Sequence, residues 1–217
     1  MNGDKFKGSR WIFTKDGELI STNRILKTSD ENSDGSQTLD VKDFEFIKSD
    51  INNGDANYEI NQGNELKVEI EGAYDKKTLK YEVKNNTLSI DNGNNNTLII
   101  HITMPKLKGI ILKGGNGESN IHDFSGDDFM IELYDSNKLT INGTVNSLKA
   151  RIAGSANLQA FDLQSVNATI EAKDNAEAEI NVKKKMNVKT TGMAQIRYRG
   201  EPSENSSMRD GGSIEKE

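Results

Sequence analysis

The residues best suited to meeting a ligand are a set of polar side chains that recur just after tight turns: Asn120, Lys138, Asn157, Asn175 and Gln195. Stacked amides hydrogen-bond along a ladder and stiffen it. A flat amide strip also puts donors and acceptors in one plane, which sugar hydroxyls can use. Asn120, Asn157, Asn175 and Gln195 are therefore the candidate ligand-binding residues, and Tyr134 could add a stacking ring, whereas Tyr198 falls in an inward register. Metal chemistry has one near-motif. Asp30, Asn32 and Asp34 lead into Gly35 as in a calcium loop, but the twelfth position is Val41 and no helices flank it. His101 and His122 each follow an isoleucine and could stack on adjacent coils near Asp123, but a transition-metal site needs a third placed ligand, and the pair reads as two solvated strand histidines. No metal site and no cofactor are expected. Lys149 and Arg151 share a face without the acidic cluster that a lyase would need beside a basic residue, and Asp127-Asp128 beside Gly126 reads as a turn rather than the paired carboxylates of a glycosidase. Cysteine is absent, which excludes disulfides, thiolate zinc sites and thiol catalysis.

The elements that position these side chains are repeats. From residue 117 a small residue, a small polar residue and an apolar residue recur at alternate positions, with anchors Ile121, Leu139, Leu158, Ala176, Ile196 and Ile214. Successive anchors lie 18, 19, 18, 20 and 18 residues apart, the mark of a solenoid. Period-2 apolar alternation on both sides of each turn, as in Phe129-Ile131-Leu133 before and Leu139-Ile141 after, makes each repeat strand, turn, strand. The expected fold is an all-β, single-stranded parallel β-helix, a β-solenoid with coils of about 18–20 residues. Stacking then predicts inward ladders of Ile131, Ala150, Ala168 and Val188, outward ladders of Glu132, Arg151, Thr169 and Lys189, and a pairing of Glu177 with Arg197.

Residues 40–202 are expected to form the β-helix domain, irregular over 40–104, where Tyr58-Ile60 and Leu98-Ile100-Ile102 alternate, and regular over 105–202. Residues 1–39 read as an N-terminal capping segment with a polar loop from Thr28 to Thr38, since a solenoid end must be covered against edge pairing. Residues 203–217 read as a polar tail with a last partial repeat. Only 33% of the 217 residues are hydrophobic, enough for a narrow tube but thin for a globular α/β core. Pro105 and Pro202 are the two prolines, both at segment ends where no ladder donor is lost. The net charge is −6, and the basic run Lys183-Lys184-Lys185 reads as a solvated loop, so nucleic acid is not an expected partner. No apolar run approaches the length of a transmembrane helix, and Met1 to Lys5 opens no signal-peptide pattern.

Tyr58-Glu59-Ile60-Asn61-Gln62-Gly63, Val83-Lys84-Asn85-Asn86-Thr87-Leu88, Ile100-His101-Ile102-Thr103-Met104-Pro105 and Arg197-Tyr198-Arg199-Gly200-Glu201-Pro202 together resemble the putative auto-transporter adhesin, head GIN domain family, over about residues 40 to 214. The family's Gly-Ser-Gly turns stand here in altered form, as Ala153-Gly154-Ser155-Ala156 and Asp135-Ser136-Asn137. The resemblance implies a right-handed, pectin-lyase-like β-helix, a bacterial envelope or surface location with a leader absent from this sequence, and a non-enzymatic adhesin role. The expected partners are glycans or mucin-like glycoproteins, with a homo-oligomer multiplying weak contacts. Two alternatives stay open: a structural or signalling envelope protein that binds another protein, and a polysaccharide lyase or hydrolase, which fold analogy alone cannot support.

Overall fold

The computed structural model describes residues 11–13, 19–21, 32–50, 55–75, 79–91 and 96–217. The chain divides into two units, Met1–Asp30 and Glu31–Glu217. In the first, β1 (Trp11–Phe13) and β2 (Leu19–Ser21) pair antiparallel. The second is built only of strands among its described residues: β3 (Asn32–Thr38), β4 (Phe46–Asp50), β5 (Asp55–Gln62), β6 (Lys67–Asp75), β7 (Lys80–Lys84), β8 (Thr87–Asp91), β9 (Thr97–Met104), β10 (Gly109–Lys113), β11 (Glu118–Leu133), β12 (Lys138–Ile152), β13 (Asn157–Ala172), β14 (Glu177–Arg199) and β15 (Glu204–Lys216).

The long strands β11 to β15 stack in parallel, each in register with the next, as a β-solenoid requires. Each holds two straight segments joined by a corner. The first ladder runs through residues 118–121, 138–141, 157–160 and 177–180; the second through 129–133, 148–152 and 168–172. Between them the register shifts at every rung, because the corner segments differ in length. Side chains alternate inward and outward along both ladders, so the interior is a narrow tube of buried aliphatics. Large and small residues alternate down it, as in Phe129, Leu148, Ala168 and Met186, or Ile131, Ala150, Ile170 and Val188. This staggering lets facing layers interdigitate.

The early strands join the stack out of chain order. β4 lies between β8 and β10, and β5 lies between β9 and β11, all parallel. The β4–β5 rung is thus flanked on one side by β8–β9, which comes later in the chain, and on the other by β10 and β11. Beyond β8 and β9 the pairing turns antiparallel, with β7 against β8, β6 against β9 and β3 against β6. Inside these rungs Tyr58 is fully buried. Its N–H donates to Ser119 Oγ at 3.1 Å, while its hydroxyl lies near Ser49 without hydrogen-bond geometry. Burial pushes the phenol pKa up.

Several expectations change here. The polar run taken as a loop is strand from Asn32 onward, and Thr28 to Glu31 lie outside the described residues. The C-terminal tail, read as polar with a last partial repeat, is strand: β15 pairs with β14 from Glu204 to Lys216, with Ile214 beside Ile196. Asp127-Asp128 is within β11 rather than a turn, and Lys183 to Lys185 belong to β14 rather than a loop, though all five side chains are exposed. The inward ladder places Ile170, not Ala168, beside Ala150, and the outward one places Glu171, not Thr169, beside Arg151. Both errors are shifts of two, so the faces are right and the neighbours wrong. Pro105 and Pro202 stand outside the strands, as expected.

Candidate ligand-contacting face

Turn geometry sets where the polar rows fall. In successive turns Asp135, Gly154, Asp174, Gly192 and Gly211 take positive φ of 63°, 80°, 63°, 74° and 86°, a left-handed conformation natural to glycine and tolerated by aspartate. The aspartates add a bond glycine cannot make. Asp135 Oδ2 accepts from Gly114 N–H at 2.8 Å, and Asp174 Oδ2 from Gly154 N–H at 3.2 Å, each reaching back one turn. Backbone bonds continue the column, with Ser155 N–H donating to Asp135 O at 2.6 Å and Asn175 N–H to Gly154 O at 2.9 Å. The altered Gly-Ser-Gly turns therefore keep the backbone shape and gain a side-chain clamp.

After the turns, the outward side of the first ladder carries two straight rows. One holds Asn57, Glu118, Lys138, Asn157 and Glu177, from the pairing of β11 with β12, β12 with β13 and β13 with β14, with Glu118 N–H donating to Asn57 Oδ1 at 2.9 Å. Gln195 continues this row, since its N–H donates to Ala176 O at 2.9 Å in the same way that Glu177 N–H donates to Ala156 O. The other holds His101, Glu59, Asn120, Thr140, Gln159 and Glu179. Thus Asn157 and Gln195 share a row, Asn120 belongs to the neighbouring row, and Asn175 sits exposed within a turn. Sequence reasoning missed Thr140 and Gln159, whose alternation with Leu139 and Leu158 marks them as outward, and it assigned Asn175 from the anchor spacing alone.

The amides pair across single rungs and do not chain along the whole stack. Asn120 Nδ2 donates to Glu59 Oε1 at 2.7 Å, Thr140 Oγ1 to Gln159 Oε1 at 3.3 Å, and Asn157 Nδ2 to Glu177 Oε2 at 3.0 Å. The Asn157 Oδ1 is covered and has no partner. Some charges on this face are also paired internally. Arg197 pairs with Glu179, not with Glu177 as the spacing implied, and with Glu217 at 2.8 Å. Arg199 meets Glu217 at 2.8 Å while its guanidinium sits 4.0 Å from the Phe161 ring centroid. The face is flat and polar, its ion pairs gathered around Arg197 and Arg199 while Glu118, Lys138 and Glu177 pair with no described charge, and it has a shallow recess of about 270 Å³ between Glu177, Glu179, Gln195 and Arg197.

The two histidines do not stack. His101 is in register with Glu59, whereas His122 is in register with Asn61. His101 Nε2 lies 3.4 Å from Glu71, and His122 Nε2 lies 3.2 Å from Glu59. Among the described residues no three metal-ligating side chains converge. Of the calcium-like segment, Asp30 lies outside the described residues, and Asn32 and Asp34 are in a strand. Tyr134 is half-buried and donates to Glu132 Oε2 at 3.1 Å; Tyr198 packs partly against the core. On the second ladder, Arg151 lies between Glu132 at 3.3 Å and Glu171 at 3.6 Å, so its charge is engaged by its neighbours.

Among solved structures, the chain is similar to a putative adhesin from Bacteroides fragilis, with 20% identity over 87% of this chain and 97% of that one and a TM-score of 0.64. It is also similar to a putative lipid binding protein from Parabacteroides distasonis, with 19% identity over 86% and 97% and a TM-score of 0.50. At these identities the likeness is one of fold. No curated protein matches the chain. Residues 43–202 match the model of the putative auto-transporter adhesin, head GIN domain. With the stacked parallel coils that this match covers, the chain belongs to that family.

Proposed function

We propose that the protein is a non-catalytic adhesion module of the bacterial cell envelope that contacts glycans or mucin-like glycoproteins through the outward face of its first ladder. One observation carries this reading: the face presents rows of half-exposed Asn120, Thr140 and Gln159 beside Lys138 and Asn157, over many rungs. A surface of this kind offers hydroxyl-bearing ligands donors and acceptors in one plane. Each contact is weak and exchanges with water, so useful affinity comes from several chains engaging one polymer. Family membership supports the adhesive role and the envelope location.

The test is binding of the chain, alone and clustered on beads, to immobilised mucin and to a glycan array, beside a Lys138→Ala/Asn157→Ala/Gln195→Ala variant whose circular dichroism matches the parent. Saturable binding that falls at least tenfold in the variant is expected. Binding equal in both, or none by clustered parent, overturns the reading. A second reading, an envelope component that binds another protein at its end, has its own observation: the outer edge of β15 pairs with no described strand, and Met208 and Met193 near it are 61% and 70% exposed. It predicts that Met208→Glu abolishes a protein contact and leaves glycan binding unchanged.

A further inference from the structure

The corners between the two ladders hold a groove that neither the flat face nor the core explains. Six residues separate Ile121 from Asp128, five separate Ile141 from Ser147, six separate Ala160 from Asn167, and only four separate Ile180 from Lys185. Parallel rungs whose corner segments differ in length cannot lie flush. A cavity of about 380 Å³ opens across three corners with Lys183 of β14 at its end. That volume is within the range of small-molecule sites.

Its lining has a definite chemistry. Val145 and Val166 give a small apolar surface, and Ser125, Thr144 and Gln164 bring polar groups to it. Two charges stand in the groove. Asp127, at the β11 end, accepts from Asn146 Nδ2 at 2.7 Å and keeps its negative charge. Lys183 makes no ion pair with any described residue and is exposed. Its neighbour Lys184 is exposed too, so this end of the groove is its positive end. The unmatched charge therefore calls for an anion, and the hydroxyls and amides around it call for a ligand rich in hydroxyl groups.

We infer that this corner groove is a binding site for a carboxylate-bearing sugar unit, with the ligand carboxylate on Lys183 and its hydroxyls bonded to Gln164, Thr144 and the Asp127–Asn146 pair. The assignment rests on the saccharide reading above for its ligand class but places the contact on a different surface. A single exposed ion pair is weak, so the site selects one charged unit within a polymer and leaves overall affinity to repetition.

The experiment titrates the full chain with a uronate tetrasaccharide, with its methyl-esterified counterpart and with inorganic phosphate, following backbone amide shifts by NMR. Lys183→Gln is compared with Lys184→Gln, which removes the same charge outside the groove. Expected are shifts centred on Ser125, Thr144 and Gln164, at least tenfold weaker binding of the ester, and a tenfold loss in Lys183→Gln with little change in Lys184→Gln. The Lys138/Asn157/Gln195 variant is expected to bind the uronate as the parent does, so failure of the flat-face reading and failure of this one are separable. Absence of shifts with the uronate, equal binding of ester and acid, equal losses in the two lysine variants, shifts confined to the flat face, or displacement by equimolar phosphate each overturns the assignment.

Discussion

At the scale of single residues, the turn aspartates show how a sequence can depart from a glycine motif and keep its geometry. Asp135 holds φ at 63° and its carboxylate accepts the Gly114 N–H. Alanine would retain the strained backbone and lose the bond. Left-handed backbone costs an L-residue about 1–2 kcal/mol, and the exposed hydrogen bond adds about 1 kcal/mol. The parent already bears that backbone cost, so Asp135→Ala is expected to lower stability by the bond alone, roughly 1 kcal/mol in chemical denaturation, whereas Asp135→Gly, which loses the bond but relieves the backbone, stays close to the parent. Equal losses in the two variants would show that the carboxylate alone matters. The turns were legible in sequence as tight corners, because Gly, Asp and Asn mark them wherever they occur. That the aspartates clamp the preceding turn was not, since the bond joins residues about one coil apart.

At the scale of elements, the rungs were readable and their register was not. Period-2 alternation identifies which residues of 148–152 or 168–172 point inward, because that signal is local. Which residue stacks on which depends on the corner lengths, and the anchors Leu139 and Leu158 do not sample them. This is why Ala168 and Thr169 were placed two positions from their true rung-mates, and why Asn120 and Asn175 were assigned to a row they do not share with Asn157. The joints between elements carry their own chemistry. Glu45, just before β4, accepts from Lys108 at 2.6 Å and lies 3.0 Å from Lys106, which ties the start of that strand to the segment leading into β10. Asn86 Nδ2 adds a bond from the β7–β8 turn at 2.9 Å. Hydrogen bonds from Lys108 and then Lys106 bring the Glu45 pKa down from 4.5 to about 2. A lowered folded-state pKa gives stability that is present above the unfolded value and is lost as pH falls through the folded one. Melting temperatures of the parent and Glu45→Gln should therefore differ most near neutral pH, converge as pH falls below about 4.5 and meet near pH 2. A difference that stays constant across that window would mean the lysines do not act through the carboxylate.

At the scale of the whole molecule, a solenoid is close to one-dimensional, and each rung is held mainly by its two neighbours. Interior rungs such as those of Leu139 and Leu158 have both; β15 has β14 alone among the described strands. Hydrogen exchange should report this as a gradient, with amides of Ser206 to Arg209 exchanging fastest within the stack and those of Ile141 and Leu158 slowest. Uniform protection along the stack would mean that it opens only as one unit. The sequence made the stack itself plain, through its repeat, but carried no local sign that the β4–β5 rung lies inside it. That rung also bears on how the molecule is made. Phe46 pairs with Thr87 on one side and with Gly109 on the other, so a chain emerging from its N-terminus forms its seed first and then waits. The seed must accept one rung on each flank, the first closing a long loop and the second closing a longer one, before the regular coils can add in order. Loop closure of that kind is slow, whereas each later coil docks on a finished edge about twenty residues back. The assembly is therefore expected to be limited by its irregular third and fast thereafter, a crystal growing outward from a nucleus set within it.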